Sequence, residues 1–119
     1  MPKDFREYLK HILDECIYIS SVLETGITKD EFFKNETLKR AVVRSLEIIG
    51  EASKKIPVDQ KVKWDNITWK HMAGMRDRLI HDYMGINYII VWDVITNKLP
   101  VLNQQIIALL DQTDQIQDN

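Results

Sequence analysis

The apolar residues of this chain recur at alternating spacings of four and three, which is the period of an amphipathic α-helix. Two stretches keep this spacing over about five turns each. The positions on the two repeats are Phe5, Leu9, Ile12, Cys16, Ile19 and Leu23, followed by Leu38, Val42, Ser45, Ile49, Ala52 and Ile56. No segment alternates apolar and polar residues with period two over the length of a strand. The sequence therefore predicts an all-α fold.

Capping residues divide the chain into a predicted up-down bundle of four to six helices. Thr28 and Glu31 have the spacing of a capping box, and Asn35 is placed to cap the helix that follows. A polar connector is predicted at 57–66, and one helix is predicted over 67–83.

Glycine and proline mark the remaining boundaries. Gly26 is expected to end the first helix, and Pro57 ends the pattern of the long second repeat. Asn87 is expected to cap a helix over 88–97, and Pro100 suits the first turn of a final helix that ends near residue 112.

The length of 119 residues predicts a single domain, 1–119, with about the last six residues as a frayed tail. Cys16 is the only cysteine, so no internal disulfide can form. The chain starts without the apolar stretch of a secretory signal, and its apolar runs are far shorter than the ~20 residues needed to span a bilayer. We therefore expect a cytoplasmic protein with no membrane partner.

The charges are unevenly distributed along the chain. The formal net charge is −2, but residues 54–81 contain seven basic and three acidic residues, a local charge of +4. Residues 82–119 contain one base, Lys98, against five acids. This asymmetry indicates either a positive face that attracts polyanions or an ordinary solvated helical surface.

The residues best suited to chemistry lie close together after residue 75. Arg76, Asp77, His81 and Tyr83 fall within about two helical turns. At about 100° per residue, Asp77 and His81 lie on one face and can hydrogen-bond, whereas Arg76 and His81 are about 140° apart. Either the helix distorts near His81 or a second copy of the chain supplies the complementary groups, which is a geometric reason to expect a homodimer.

A guanidinium group and an imidazole near a basic face suit cleavage of a phosphodiester. Arg76 offers two parallel donors and a permanent positive charge for a phosphoryl oxygen. His81 can accept or donate a proton near neutral pH. RNA carries its own nucleophile, the 2′-hydroxyl group, so this chemistry requires no metal ion, and we predict neither metal ligands nor a cofactor. The alternative is that Arg76, Asp77 and His81 form a salt-bridge network at a helix end.

The pattern Arg76-x4-His81-x-Tyr83 resembles the HEPN superfamily and, within it, the HepT-like toxins. The resemblance covers nearly the whole chain. It includes the segments AVVRSLEIIGEA at 41–52 and KKIP at 54–57, then Trp69, and MAGM at 72–75. The spacing of arginine and histidine is a weak family signature by itself. Combined with these segments and the helical pattern, it becomes specific to the family.

This resemblance implies a small helical homodimer whose metal-independent ribonuclease site lies in a cleft between the protomers. Arg76 and His81 would be the catalytic pair, and Asp77 matches the polar position after the motif arginine. The resemblance also implies the toxin of a type VII-like toxin–antitoxin system, whose partner is a minimal nucleotidyltransferase antitoxin that transfers AMP to Tyr83. The expected substrate is RNA, with a restricted target such as tRNA because the overall charge is weakly negative.

A second interpretation is a non-catalytic subunit that binds a nucleotide or the nucleotidyltransferase in the same cleft. The presence of both Arg76 and His81 favours the ribonuclease, because a pure binding module has no special need for an imidazole.

Overall fold

All regular structure in the described part of the chain is helical. The structure is a computed structural model that describes residues 4–79 and 85–118; for Arg76 and 115–118 it describes the backbone only. The elements are α1 (Phe5–Glu24), α2 (Lys29–Lys34), α3 (Glu36–Lys54), α4 (Val58–Lys63), α5 (Trp69–Ala73), α6 (Met75–Leu79), α7 (Tyr88–Asp93), a π-helical turn (Val94–Lys98) and α8 (Leu99–Asp118). The all-α prediction is confirmed for the described residues.

The predicted helix caps are present. Thr28 Oγ1 accepts a hydrogen bond from the Glu31 backbone N–H (3.2 Å), and Glu31 Oε1 accepts one from the Thr28 N–H (3.0 Å). Asn35 Oδ1 accepts from the Leu38 N–H at 3.0 Å, and Asn87 Oδ1 caps α7 in the same way. Each cap satisfies backbone donors that a helix start leaves without an intrahelical partner.

The core forms where α1 packs between α3 and α8. The repeat positions on α1 and α3 are buried as their spacing predicts, including Leu9, Ile12, Cys16, Ile19, Val42, Ser45, Ile49 and Ala52. Burial of a leucine or isoleucine side chain contributes about 1.5–3 kcal/mol. Arg6 Nη1 donates to Asp114 Oδ1 at 2.8 Å, so the start of α1 lies beside the end of α8 and the two helices run in opposite directions.

The prediction of one helix over 67–83 is wrong, because the structure divides its described part into α5 and α6. Gly74 separates them with φ −88° and ψ 7°, and its N–H closes α5 onto the Lys70 carbonyl at 3.0 Å. Glycine is the weakest helix former after proline, so the local sequence does little to keep the helix continuous here. The packing of α5 and α6 against α3 therefore decides the backbone path at this position. The predicted end near Tyr83 lies outside the described residues.

The prediction for 57–66 is also corrected, because this connector contains the short helix α4. The described ranges contain eight α-helices, more than the predicted four to six. The two additional helices come from α4 and from the division at Gly74.

The two predicted C-terminal helices are joined without a break by the π-helical turn. The Leu99 N–H donates to the Val94 carbonyl, five residues back. Pro100 has no N–H to donate, and its ring would clash with the carbonyl four residues earlier in a regular α-helix, so a wider turn accommodates it. Helix α8 then continues to Asp118, beyond the predicted end. No helix in the described ranges is both long and apolar enough to cross a membrane.

Candidate functional site

Helix α6 carries the beginning of the predicted motif. Its residues Met75 and Leu79 are buried in the core, whereas Asp77 and Arg78 are exposed. The backbone of Arg76 lies within α6, but its side chain lies outside the described part of the structure. His81 and Tyr83 also lie outside the described residues, so the Asp77–His81 hydrogen bond stays a prediction.

The two chain ends that flank residues 80–84 are held together. The Asn87 N–H donates to the Leu79 carbonyl oxygen at 3.0 Å, which connects the end of α6 to the start of α7. Gly85, just before this bond, has φ +102°, a conformation that favours glycine. Leu79 and Asn87, on either side of residues 80–84, therefore lie next to each other.

A cavity of about 460 Å³ lies between α5, α6, the π-helical turn and α8. Its apolar lining residues are Met72, Met75, Val94, Leu99, Val101 and Leu102, and its polar ones are Asn66, Thr68, His71, Arg78, Asn97, Lys98 and Gln105. We call this cavity the α6–α8 groove. Its volume is within the range of about 300–1,000 Å³ found for small-ligand sites.

A second, more open cavity of about 530 Å³ adjoins the α6–α8 groove at Arg78. Its lining includes Lys29, Trp92 and Asp93, and it shares Arg78 and Asn97 with the α6–α8 groove. Asn97 Nδ2 donates to Asp93 Oδ1 at 2.7 Å, so the amide that lines both cavities is held in place.

The cationic side chains of the α6–α8 groove have no acidic partner within the described residues. The ion pairs among the described residues involve the basic side chains of Arg6, Lys10, Lys39, Arg44 and Lys54. None of these pairs involves His71, Arg78 or Lys98. All three of these side chains are exposed. The charges of Arg78 and Lys98 are therefore available to an anionic ligand.

Sequence reasoning assigned no role to Arg78, Asn97 or Lys98, although a spacing signal exists. Val94, Lys98, Val101 and Gln105 recur at four, three and four, so one face of the last helix combines apolar and polar groups that line the groove. Only the structure shows that α5 and α6 lie opposite this face.

Cys16 is excluded as a nucleophile by its surroundings. It lies in the core with 1% of its surface exposed, and burial raises the pKa of its thiol to about 12. The thiol is therefore protonated at neutral pH, and the reactive form of cysteine is the thiolate. Among the described residues, no three His, Cys, Asp or Glu side chains form a group that could hold a metal ion.

Comparisons with known proteins point to one family. A family model described as "Ribonuclease HepT-like" matches residues 5–109. A protein of Caldanaerobacter subterraneus subsp. tengcongensis with the name "Putative RNase" is 46% identical over 107 residues, covering 90% of this chain and 95% of that protein.

Two archaeal proteins show similar agreement. A second "Putative RNase", from Methanocaldococcus jannaschii, is 48% identical over 101 residues, covering 84% of this chain and 83% of that protein. The "Probable ribonuclease HepT" of Thermococcus cleftensis is 38% identical over 102 residues, covering 86% of this chain and 92% of that protein. No solved structure matches the chain.

Proposed function

Because the chain belongs to the HepT-like ribonuclease family, we propose that it is a metal-independent endoribonuclease whose catalytic pair is Arg76 and His81. The family match over residues 5–109 carries this proposal. The unbroken Arg76-x4-His81-x-Tyr83 pattern within the matched range supports the assignment of residues. Asp77, exposed on α6, is proposed to orient the imidazole of His81.

The proposed reaction is an internal transfer within the RNA. The 2′-hydroxyl oxygen attacks the adjacent phosphorus while a base removes its proton, and the bond from phosphorus to the 5′-oxygen breaks as that oxygen gains a proton. The products are a 2′,3′-cyclic phosphate and a 5′-hydroxyl group. His81 serves as the acid or the base, and Arg76 stabilises the charge on the pentacoordinate phosphate.

We propose that the protein is the toxin of a toxin–antitoxin pair. A minimal nucleotidyltransferase would neutralise it by transferring AMP to Tyr83, two residues after His81. Each AMP adds negative charge and bulk beside a site that must receive an RNA phosphate, so repulsion and obstruction both reduce cleavage. The expected RNA target is restricted, with tRNA the leading candidate.

The proposed active form is a homodimer. Arg76 and His81 are about 140° apart on a regular helix, so a straight helix does not bring both to one phosphate. A two-fold axis next to α6 would let the arginine of one protomer act with the histidine of the other.

The experiment that tests the ribonuclease is cleavage of RNA by purified protein in EDTA, after mass spectrometry has excluded AMP on Tyr83. We expect the parent protein to cleave, and His81→Ala to lose about 10²–10⁴-fold in rate, which is the usual contribution of an acid–base group. Arg76→Ala is expected to lose activity as well. Arg40→Ala, which removes one exposed charge on α3, is the matched control.

Cleavage that His81→Ala retains, or that EDTA abolishes, would contradict the proposal. Intact RNA with every variant would favour the non-catalytic binding subunit. For the regulatory part, Tyr83→Phe should remain toxic when the nucleotidyltransferase is co-expressed, whereas the parent protein should be neutralised.

A further inference from the structure

We propose that the α6–α8 groove is an RNA subsite that binds a nucleotide flanking the cleaved bond. This inference rests on the proposed ribonuclease function. It identifies a second place on the protein that contacts the RNA substrate. Neither Arg76 nor His81 is among the residues that line the groove.

The floor of the groove suits the flat apolar faces of a nucleobase. It is made by Met72, Met75, Val94, Leu99 and Leu102, all of which are buried. Methionine side chains adapt their shape and contact aromatic rings favourably through sulfur. Single-stranded RNA offers such rings, because its unstacked bases can be turned out from the strand and bound individually.

The rim of the groove suits the phosphates on either side of that base. His71 lies in the middle of α5, Arg78 on α6 and Lys98 at the end of the π-helical turn. All three are exposed and have no acidic partner within the described residues. Asp93 lines the neighbouring cavity and accepts a hydrogen bond from Asn97. The ligand of highest charge complementarity is therefore an anion.

Two amide side chains can pair with the edge of a base. Gln105 Nε2 donates to the Asn66 carbonyl at 3.0 Å, and Asn97 Nδ2 donates to Asp93 Oδ1 at 2.7 Å. One N–H of each amide is thus engaged by the protein, and the carbonyl oxygen of each side chain accepts no hydrogen bond from a described residue. Each amide therefore keeps a second N–H donor and an acceptor for the hydrogen-bonding edge of a base.

The groove lies on the opposite side of α6 from the position of Arg76. At about 100° per residue, Arg76 and Arg78 are about 160° apart around the helix, on either side of the buried stripe of Met75 and Leu79. A helix with its side chains is about 10 Å across. A nucleotide in the groove is therefore about one helix diameter from the position of Arg76, and we assign it to a place next to the cleaved bond.

The test is binding of fluorescein-labelled, single-stranded 2′-O-methyl oligonucleotides, followed by anisotropy at two salt concentrations. These probes lack the 2′-hydroxyl nucleophile, so the parent protein binds them without cleavage. The variant Arg78→Ala/Lys98→Ala removes two cations from the rim, and Arg40→Ala/Lys34→Ala removes two exposed cations elsewhere. Asn97→Asp places an anion on the rim, and Gln112→Glu places one on an exposed position of α8 outside the groove.

We expect the rim variant to bind about tenfold more weakly and to reduce the slope of log K against log[salt] by about 1.4, since each lost contact to a single strand contributes about 0.7. Asn97→Asp should weaken binding by a similar factor. The two control variants should change it less than twofold.

Equal weakening by the rim and control variants would overturn the subsite. This outcome is distinct from failure of the proposed function. If the parent cleaves RNA and the rim variant binds like its control, the ribonuclease stands and the subsite falls. If RNA binds through the groove and is never cleaved, the subsite stands and the ribonuclease falls.

Discussion

Gly50 allows α3 and α5 to approach more closely than a side chain at this position would permit. A Cβ atom added to Gly50 would lie 3.0 Å from the Met72 carbonyl oxygen, which is backbone and cannot rotate away. Glycine within a helix costs about 1 kcal/mol relative to alanine. The close approach explains why glycine occupies this position despite the cost. It lets α5, which contributes to the floor of the α6–α8 groove, pack against the core.

Gly50→Ala is expected to destabilise the protein by about 1–3 kcal/mol, because the clash with backbone exceeds the gain in helix propensity. The control is Gly74→Ala, whose Cβ would meet the Lys70 carbonyl at a longer distance of 3.3 Å. Chemical unfolding followed by circular dichroism measures both. A stability of Gly50→Ala equal to or above that of the parent would contradict the argument.

Cys16 should report on global unfolding. Burial raises its thiol pKa from 9.0 to about 12, so a thiol reagent at pH 8 should modify the folded protein only as fast as the core opens. Addition of urea should accelerate the labelling in step with loss of helical signal. A Cys16→Ala/Ser21→Cys variant places the thiol on an exposed site of α1 and should react at once. Rapid labelling of the parent in buffer would show that the core is open at α1.

At the scale of elements, helix starts are set by local hydrogen bonds, whereas the continuity of a helix depends on its packing against neighbouring helices. The capping box at Thr28 and the cap at Asn35 involve residues three apart, so the sequence pattern predicts them. The π-helical turn before Pro100 combines a local cause, the missing N–H, with the burial of Val94, Ile95 and Leu99 in the core. The sequence pattern shows the proline but not this burial, and it therefore predicts two separate helices with a break before Pro100.

Thr28→Ala should cost about 1 kcal/mol at neutral pH, the usual value for loss of an N-cap. Hydrogen bonds from the Thr28 backbone and side chain lower the pKa of Glu31 below 4.5, so the ionised carboxylate contributes stability at neutral pH that is lost as the pH falls through the lowered value. The difference in unfolding free energy between parent and variant should therefore shrink in acid. Thr37→Ala, exposed in the first turn of α3, is the control and should show no such pH dependence.

The long axis of the molecule follows its C-terminal helices. Residues 88–118 run continuously through α7, the π-helical turn and α8, which at 1.5 Å per residue spans about 46 Å. The molecule measures 50 × 32 × 26 Å, and its radius of gyration is 15.0 Å, above the roughly 13–14 Å of a compact chain of this length. An elongated protomer presents a long side surface to a partner.

A mixture of two inactive variants tests the proposed homodimer and its shared site. If the arginine of one protomer acts with the histidine of the other, a mixed dimer of Arg76→Ala and His81→Ala has one intact site and one empty site. Equal mixing makes about half of the dimers mixed, so about a quarter of the parent activity should return. Each variant alone should stay inactive.

Absence of recovered activity, in a mixture that sedimentation shows to contain dimers of twice 14.0 kDa, would place both residues of a site in one protomer. A sedimenting mass of 14.0 kDa at micromolar concentration would overturn the dimer itself.

The sequence by itself determined the helical class, the long helices α1 and α3, and the caps at Thr28, Asn35 and Asn87, because these depend on residues within four positions of each other. The motif assignment of Arg76, Asp77, His81 and Tyr83 also comes from sequence alone and stays a prediction. Tertiary structure decided the division at Gly74, the continuity through Pro100 and the α6–α8 groove. These depend on which helix faces meet, and the residues that line the groove, such as His71 and Gln105, are far apart in the chain and are brought together only by packing.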